Sequence, residues 1–361
     1  MPAPAAAPHA LPAATVLLEY RIESVLGADG FGITYLAHDS VLQRNVAIKE
    51  YMPADLAQRV PGGNVAPLDF NTEANYRKGL AQFLVEARTL AKFTHPSIVP
   101  VDRSFEANGT AYMIREYEKG ESLAQHFAGA PQPDEAALKA LLGPLLDGLE
   151  AVHGAGILHR DIKPTNIFVR DSGPPVLLDF GAARLASRDA IQDIETILTA
   201  GYAPVEQYLR SGRQGPWSDI YSMAGVVFLA VTGEHPPDAL SRLRIDTVPR
   251  MLNAARARYS APFIAAIQWG LAVEERNRPQ SVDAWRGALF RQEPAETTAA
   301  VEARRPTDAT RKYVWMALGV VMFYLFVAGA DIVKQRSEWI RAWTKSPPRS
   351  IEAPLPPPSA R

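Results

Sequence analysis

The spacing of hydrophobic residues divides the chain into a strand-rich first part and a helix-rich second part. Residues 17–50 contain short runs of β-branched and apolar residues separated by turn residues, a pattern typical of antiparallel strands. Residues 73–94 lack proline and have the period of a long helix, and helical periodicity dominates from residue 134 onward. The pattern predicts an α+β fold with a small β-rich lobe followed by a larger helical lobe. No internal repeat is visible.

A segment near the end of the chain has a different pattern. Residues 313–330, YVWMALGVVMFYLFVAGA, are 18 consecutive residues without a charge. As a helix they would extend about 27 Å, close to the roughly 30 Å of a bilayer core. Basic residues and tryptophans lie on either side, as they do at membrane interfaces. We therefore predict one transmembrane helix over residues 313–332, the alternative being a buried core helix.

Composition sets the predicted boundaries of the remaining segments. The two ends are rich in proline, and a polar linker precedes the hydrophobic segment. The predicted segments are a disordered leader (1–16), a folded domain (17–291) with lobes at about 17–117 and 118–291, a linker (292–312), the membrane helix (313–332) and a short tail (333–361).

Charge and cysteine content exclude several classes of function. The chain has 38 Lys and Arg against 39 Asp and Glu, a net charge of −1. It therefore has no net positive charge to attract nucleic acid. It has no cysteine, which excludes disulfides, thiolate catalysis and Cys-based metal sites. Hydrophobic residues make up 47%, enough for a sizeable core.

Charged and polar residues of complementary chemistry lie close together in HRDIKPTN (159–166) and in LLDFG shortly after it. Phosphoryl transfer needs a carboxylate to accept the proton of the attacking hydroxyl, and Asp161 fits that role. It needs oxygen ligands for Mg²⁺, for which Asn166 and Asp179 are candidates, and a positive charge near the transferred group, for which Lys163 is the candidate.

A second set of residues suits the binding of nucleotide phosphates. Glycines in LGADGFGITYLA (26–37) let backbone N–H groups approach phosphate oxygens without an intervening Cβ. Lys49 in VAIK can reach the α- and β-phosphates, and Glu86 is the candidate to hold that lysine in place. The glycines of the predicted phosphate loop are Gly27, Gly30 and Gly32.

These motifs, taken in their order along the chain over roughly residues 20–290, resemble those of the eukaryotic-type protein kinases. The resemblance is strongest to the bacterial serine/threonine kinases. APVE (203–206) resembles the segment that closes the activation loop. SDIYSMAG (218–225) resembles a helix of the second lobe, and RNRP (276–279) resembles a motif near the end of that lobe. The resemblance implies that Asp219 braces the backbone of the catalytic loop and that Arg278 pairs with Glu206.

The resemblance also implies a bilobal kinase fold, ATP and Mg²⁺ as cofactors, and protein substrates with serine or threonine acceptors. Lys163 and Thr199 suggest specificity for serine and threonine hydroxyls rather than tyrosine. The implied catalytic residues are Asp161 and Lys163, and the implied metal ligands are Asn166 and Asp179. The implied nucleotide contacts are Leu26, Gly27, Gly30, Gly32, Thr34, Ala47, Lys49, Glu86, Glu116 and Glu118.

The chain departs from the family pattern at three places. Asp29 replaces the usual second glycine of the phosphate loop, where a carboxylate would repel phosphate unless it points outward. Arg115 stands at the usually apolar gatekeeper position at the back of the adenine pocket, and we expect it to reach Glu86 or to stack on the base. Residues 51–75 form an insertion that is either a partner-docking or regulatory loop or a passive addition.

Three function hypotheses follow. The first is a membrane-anchored kinase with its catalytic domain in the cytoplasm. For this kinase we predict Thr196 as the activation-loop phosphosite, in preference to Ser187 and Thr199. Self-association for autophosphorylation is left open. The second is a pseudokinase scaffold, supported by Asp29 and Arg115. The third is a small-molecule kinase, disfavoured by the APVE segment. None of the three involves nucleic acid.

Overall fold

The first lobe is built on an antiparallel sheet of six strands. The computed structural model of the protein describes residues 9–180, 199–209 and 212–291. The strands up to the first long helix are β1 (Val16–Leu17), β2 (Tyr20–Asp29), β3 (Gly32–Asp39), β4 (Arg44–Tyr51), β5 (Ala57–Arg59) and β6 (Val65–Pro67). Three more follow that helix: β7 (Val101–Ala107), β8 (Thr110–Glu116) and β9 (Gly120–Ser122). Across the main sheet the order is β1-β2-β3-β4-β8-β7.

Residues 51–75 are integrated into this lobe. They contain the separate hairpin of β5 and β6. The Arg59 guanidinium lies 2.6 Å from the fully buried carboxylate of Glu50, which also accepts hydrogen bonds from the hydroxyls of Tyr35 and Tyr112. A buried carboxylate needs such partners to offset its desolvation. The hairpin therefore supplies the cation that the core of the first lobe requires.

Helix α1 (Phe70–Leu90) packs against the sheet and carries Glu86. It begins earlier than the predicted residue 73, because Asp69 caps it: the Asp69 side chain accepts the N–H of Thr72, and the Thr72 hydroxyl accepts the N–H of Asp69. Its buried face includes Tyr76, Phe83 and Leu90. This contact with the sheet positions Glu86 on the same side as Lys49 of β4.

The second lobe is mainly helical. Helix α5 lies at its centre, and most of its residues are buried. The helices are α2 (Leu123–Gly129), α3 (Glu135–Gly154), α4 (Val205–Tyr208), α5 (Pro216–Thr232), α6 (Ala239–Arg242), α7 (Val248–Ala254), α8 (Ala261–Gly270) and α9 (Val282–Leu289), and two further strands are β10 (Ile167–Arg170) and β11 (Val176–Leu177). Strand β10 pairs with both β9 and β11, so this small sheet carries the residues that flank the candidate site.

The predicted bilobal fold is confirmed, with a β-rich first lobe and a helical second lobe. Part of the predicted leader contacts the first lobe: Leu11 is buried, and its N–H donates to the Tyr35 hydroxyl. Across the described ranges no helix combines the length and apolarity needed to cross a membrane. The predicted span at 313–332 lies outside those ranges, as do Ser187 and Thr196.

Candidate active site

The candidate catalytic residues lie in one hydrogen-bonded group on the loop before β10. The Asn166 amide nitrogen donates to both the backbone oxygen and the Oδ2 of Asp161, at 2.8 and 2.7 Å. The Lys163 ammonium lies 3.3 Å from the same Oδ2 and 3.3 Å from the hydroxyl of Thr199. Asp161 is thus oriented from two sides, as a group that accepts a proton from a bound hydroxyl must be.

A buried carboxylate fixes the backbone just before Asp161. Asp219 of α5 accepts the backbone N–H groups of His159 and Arg160, at 2.8 and 2.7 Å, and also the Nε2–H of His153 at 2.8 Å. Burial alone would raise the pKa of Asp219, but the hydrogen bond and charge of His153 and the other donors lower it below its ordinary value. The predicted bracing role of Asp219 is confirmed.

Asp179 lies at the other end of the site, between two cations. Its Oδ1 is 2.8 Å from the Lys49 Nζ and 2.5 Å from the Arg115 guanidinium. Burial alone would raise the pKa of Asp179, but the charges of Arg115 and then Lys49 outweigh it and hold this pKa far below its usual range. Asp179 is therefore ionised. The sequence predicted that Arg115 would reach Glu86 or the base, whereas the structure pairs it with Asp179.

The charges around Lys49 keep it protonated. Burial alone would lower the pKa of Lys49, but the carboxylates of Asp179, Asp29 and Glu86 attract the ammonium, and the net effect is a raised pKa. Arg115 opposes them. Glu86 is buried on α1, and its charge acts on Lys49, but the ion pair that the structure gives Lys49 goes to Asp179. A direct contact between Lys49 and Glu86 stays a prediction.

The turn between β2 and β3 is held in place by its own carboxylate. Asp29 Oδ1 accepts the backbone N–H groups of Phe31 and Gly32, at 2.8 and 2.9 Å. The insertion supports the same turn, since the N–H groups of Met52 and Ala54 donate to the carbonyls of Phe31 and Gly30. Asp29 therefore engages N–H groups of the loop that was predicted to contact phosphates.

The strand register places the other predicted nucleotide contacts around this loop. Thr34 pairs with both Gly27 and Lys49 across the sheet. A Cβ at Gly32 would lie 2.4 Å from the Glu50 carbonyl oxygen, so only glycine fits there. Ala47, buried on β4, is the neighbour of Arg115 in the register of β4 and β8, and Leu26 is partly exposed on β2.

The end of β8 and the residues that follow it were predicted to offer the backbone carbonyl of Glu116 and the backbone N–H of Glu118 to adenine. The Glu118 carboxylate is held by the Arg170 guanidinium in a bidentate ion pair, with one N–O distance of 2.7 Å. The N–H of Glu116 donates to the carbonyl of Pro100. This segment is thereby fixed to β10 of the second lobe, which leaves backbone groups rather than the Glu118 side chain to meet a base.

On the other side of the catalytic group, a cavity of about 410 Å³ extends from Lys163 and Thr199 toward α2 and α5. Phe127, Tyr202 and Leu229 give it a mainly apolar lining. The segment that follows Thr199 is anchored by the predicted pair of Glu206 and Arg278. This pair is confirmed, with N–O distances of 2.7 and 3.1 Å, and it is fully buried.

The oxygen donors suit Mg²⁺. No cluster of three or more histidine or acidic side chains within the described ranges could hold a metal ion by itself. Mg²⁺ needs only one or two protein oxygens when phosphates supply others. The ionised carboxylate of Asp179 meets that requirement, and the amide of Asn166, whose nitrogen is held by Asp161, leaves its oxygen as a second ligand. The donor set therefore fits the ion, although Arg115 competes for Asp179.

Residues 20–284 match the model of the protein kinase domain family. The chain belongs to the protein kinase family. This match extends over the first lobe, the catalytic group and the helices of the second lobe, so it includes every predicted site residue.

Known kinases agree with this assignment. The serine/threonine-protein kinase pkn2 of Myxococcus xanthus is 31% identical over 311 residues, which cover 82% of this chain and 34% of pkn2. A solved structure described as the apo form of PpkA-294 is 37% identical, with a TM-score of 0.71, and covers 78% of this chain and 99% of that one. The Rad53 1-466 complex with AMP-PNP is 20% identical, with a TM-score of 0.57 over 75% of this chain and 66% of that one, and shows the fold alone.

This kinase domain is thus of the bacterial serine/threonine type, and the prediction of an enzyme of that class is confirmed by its relatives. The chain spans about a third to a half of the length of the curated relatives it matches, 34% of pkn2 and 52% of PknL from Mycobacterium tuberculosis.

Two residues that contribute to this kinase site had no predicted role. His153 adds a third donor to Asp219, and Arg170 holds Glu118. Neither lies in a recognisable motif. His153 is in the last turn of α3, and Arg170 is far from Glu118 along the chain, so only the folded arrangement shows their contacts.

Proposed function

We propose that the chain is an ATP- and Mg²⁺-dependent kinase that phosphorylates serine or threonine hydroxyls on protein substrates. The observation that carries this proposal is the contact of Asp161 with Asn166 and Lys163, with Thr199 bound to the same lysine. Asp161 would accept the proton of the substrate hydroxyl, and Lys163 would offset the negative charge of the transferred group.

Bound Mg²⁺ would offset phosphate charge, with Asn166 and Asp179 as its protein ligands. Lys49 would hold the nucleotide phosphates, and the cavity beside Lys163 offers a place for residues of a protein substrate next to the acceptor. The mainly apolar lining of this cavity supports protein substrates over small polar metabolites.

The decisive assay uses ATP labelled at the γ-phosphate, Mg²⁺ and general protein substrates, followed by identification of the phosphorylated amino acid. We expect phosphoserine or phosphothreonine from the wild-type chain and none from Asp161→Asn. Transfer that survives in Asp161→Asn would refute the role of Asp161. No transfer together with no nucleotide binding would favour the pseudokinase scaffold, and transfer to metabolites alone would favour a small-molecule kinase.

The proposal includes attachment to the membrane through residues 313–332, with the kinase domain in the cytoplasm, where ATP is available. The 18 uncharged residues and their basic and aromatic flanks support it. The full chain should remain with membranes after a high-salt wash, and deletion of residues 313–332 should release it. Release of the full chain by salt alone would contradict the proposal.

A further inference from the structure

The gatekeeper arginine contacts the residue that the proposed function assigns to Mg²⁺. The Arg115 guanidinium and the Lys49 ammonium approach the same oxygen of Asp179, at 2.5 and 2.8 Å. Asp179 adopts a left-handed backbone conformation, with a φ of 44°. Two full positive charges therefore face one carboxylate.

The burial of Arg115 requires an anionic partner such as Asp179. It lies near the end of β8, and its side chain is 5% exposed. An arginine stays charged in proteins, so burial requires an anionic partner. In the part of the chain that the structure describes, the Arg115 Nε has no hydrogen-bond partner. The guanidinium thus keeps a donor available after it has bound Asp179.

We propose that Arg115 acts as an internal cation for Asp179, so that it lowers the dependence of nucleotide binding on Mg²⁺. This role rests on the proposed function. Lys49 pairs with Asp179 but must also hold the phosphates, and Arg115 adds a second positive charge that offsets the repulsion between this carboxylate and a metal-free nucleotide. The same guanidinium competes with Mg²⁺ for Asp179, since two cations cannot share that oxygen without repulsion.

The test is the affinity for ADP by isothermal titration calorimetry, measured once with Mg²⁺ and once with EDTA. Relative to wild type, Arg115→Met should bind ADP with Mg²⁺ about tenfold more tightly and ADP in EDTA about tenfold more weakly, each change being that of roughly one charge-assisted hydrogen bond. The magnesium dependence, the ratio of the two affinities, should rise about a hundredfold.

Three controls sharpen the result. Arg115→Lys keeps the charge and should stay near the wild-type ratio. Arg115→Gln removes the charge but keeps a polar side chain, so it should behave as Arg115→Met does even if the methionine variant folds poorly. Arg103→Met removes a partly exposed arginine of β7 that pairs with Glu19, and it should leave the ratio unchanged.

An unchanged magnesium dependence in folded Arg115→Met or Arg115→Gln would overturn the role of Arg115 while leaving the kinase proposal intact. Failure of the wild-type chain to bind ADP under either condition would contradict the proposed function itself, and the role of Arg115 with it.

Discussion

The carboxylate of Asp219 lies 2.7 Å from the backbone nitrogen of Arg160, directly before the candidate proton acceptor Asp161. Arg160 has a φ of 67°, a left-handed conformation that residues with a side chain seldom adopt. The hydrogen bond holds this unfavourable backbone in place. The geometry at Asp161 therefore depends on a buried group from α5 that has no direct part in the chemistry.

Replacement of Asp219 should impair both stability and catalysis. Asp219→Asn keeps the shape but removes the charge and replaces one acceptor oxygen with a donor. We expect a loss of about 1.5–3 kcal/mol in the free energy of unfolding, together with a fall in kcat while KM for ATP changes little. Urea denaturation and steady-state kinetics measure the two effects.

The control for Asp219 is Asp147→Asn, which breaks a half-exposed ion pair with Arg286. It should cost less than about 1 kcal/mol and leave kcat unchanged. An Asp219→Asn protein that is less stable but keeps the wild-type kcat would show that the brace serves the fold alone.

The pair of Glu206 and Arg278 should be a larger determinant of stability. Both side chains are about fully buried, so Glu206→Gln would leave a buried arginine without its counter-charge. We expect a loss of about 3–5 kcal/mol in the free energy of unfolding, measured by denaturation with urea. The exposed pair of Glu274 and Arg276 is the matched control, and Glu274→Gln should cost less than about 1 kcal/mol. Equal losses in the two variants would contradict this ranking.

Much of this kinase site was predictable because its parts lie in short motifs with fixed roles. Asp161, Lys163 and Asn166 lie within six positions of one another, so their mutual contacts follow from one local turn. The long-range pairing of Glu206 with Arg278 was predictable only through the resemblance to known kinases. Both the local turn and the long-range pair were predictable because their residues match the kinase motifs.

The partners of residues that depart from the pattern were not predictable. Arg115 and Asp179 are brought together by the packing of β8 against the segment after β11, and no sequence spacing records that contact. The insertion gave no sign that Arg59 would neutralise Glu50. The start of α1 was missed because its cap uses threonine at the third helical position, where glutamate or glutamine is the more familiar signal.

His159 should make stability depend on pH. Burial lowers the pKa of His159 below its ordinary 6.5, against the opposing charges of Asp219 and Asp161. Its Nδ1 accepts the N–H of Asp161, and its ring stacks on Phe180 with centroids 4.4 Å apart. Well above pH 6.5 the ring is neutral in both states. Below pH 6.5 the unfolded chain binds the proton more readily than the folded protein does. The free energy of unfolding therefore falls by up to about 1.4 kcal/mol per pH unit.

Urea denaturation at several pH values between 5 and 7.5 tests this. His159→Phe should be less stable at pH 7.5, where it lacks the hydrogen bond, but its stability should fall less steeply below pH 6.5. His38→Gln removes a histidine whose side-chain contact is exposed and should keep the wild-type slope. Parallel slopes for His159→Phe and wild type would contradict the prediction.

Asp29 combines two effects that substitution can separate. Its carboxylate caps the turn by accepting the N–H groups of Phe31 and Gly32, and its charge attracts Lys49. Asp29→Asn keeps an oxygen for the two N–H groups and removes only the charge. We expect it to bind ATP about fivefold more tightly, from the loss of roughly 1 kcal/mol of repulsion at about 4 Å in water.

Asp29→Gly removes the charge and also releases both N–H groups toward phosphate. Its affinity for ATP should rise at least as much as that of Asp29→Asn, and amide hydrogen exchange at residues 30–32 of the ligand-free protein should become faster, since the turn has lost its cap. Calorimetry and exchange mass spectrometry measure these effects. Asp39→Asn is the matched control, because Asp39 caps the next turn through the N–H groups of Val41 and Leu42. Its ATP affinity should equal that of wild type. If Asp29→Asn leaves ATP affinity unchanged and Asp29→Gly weakens it, the carboxylate serves only to order the loop, and the departure from the family pattern at this position carries no cost for phosphate binding.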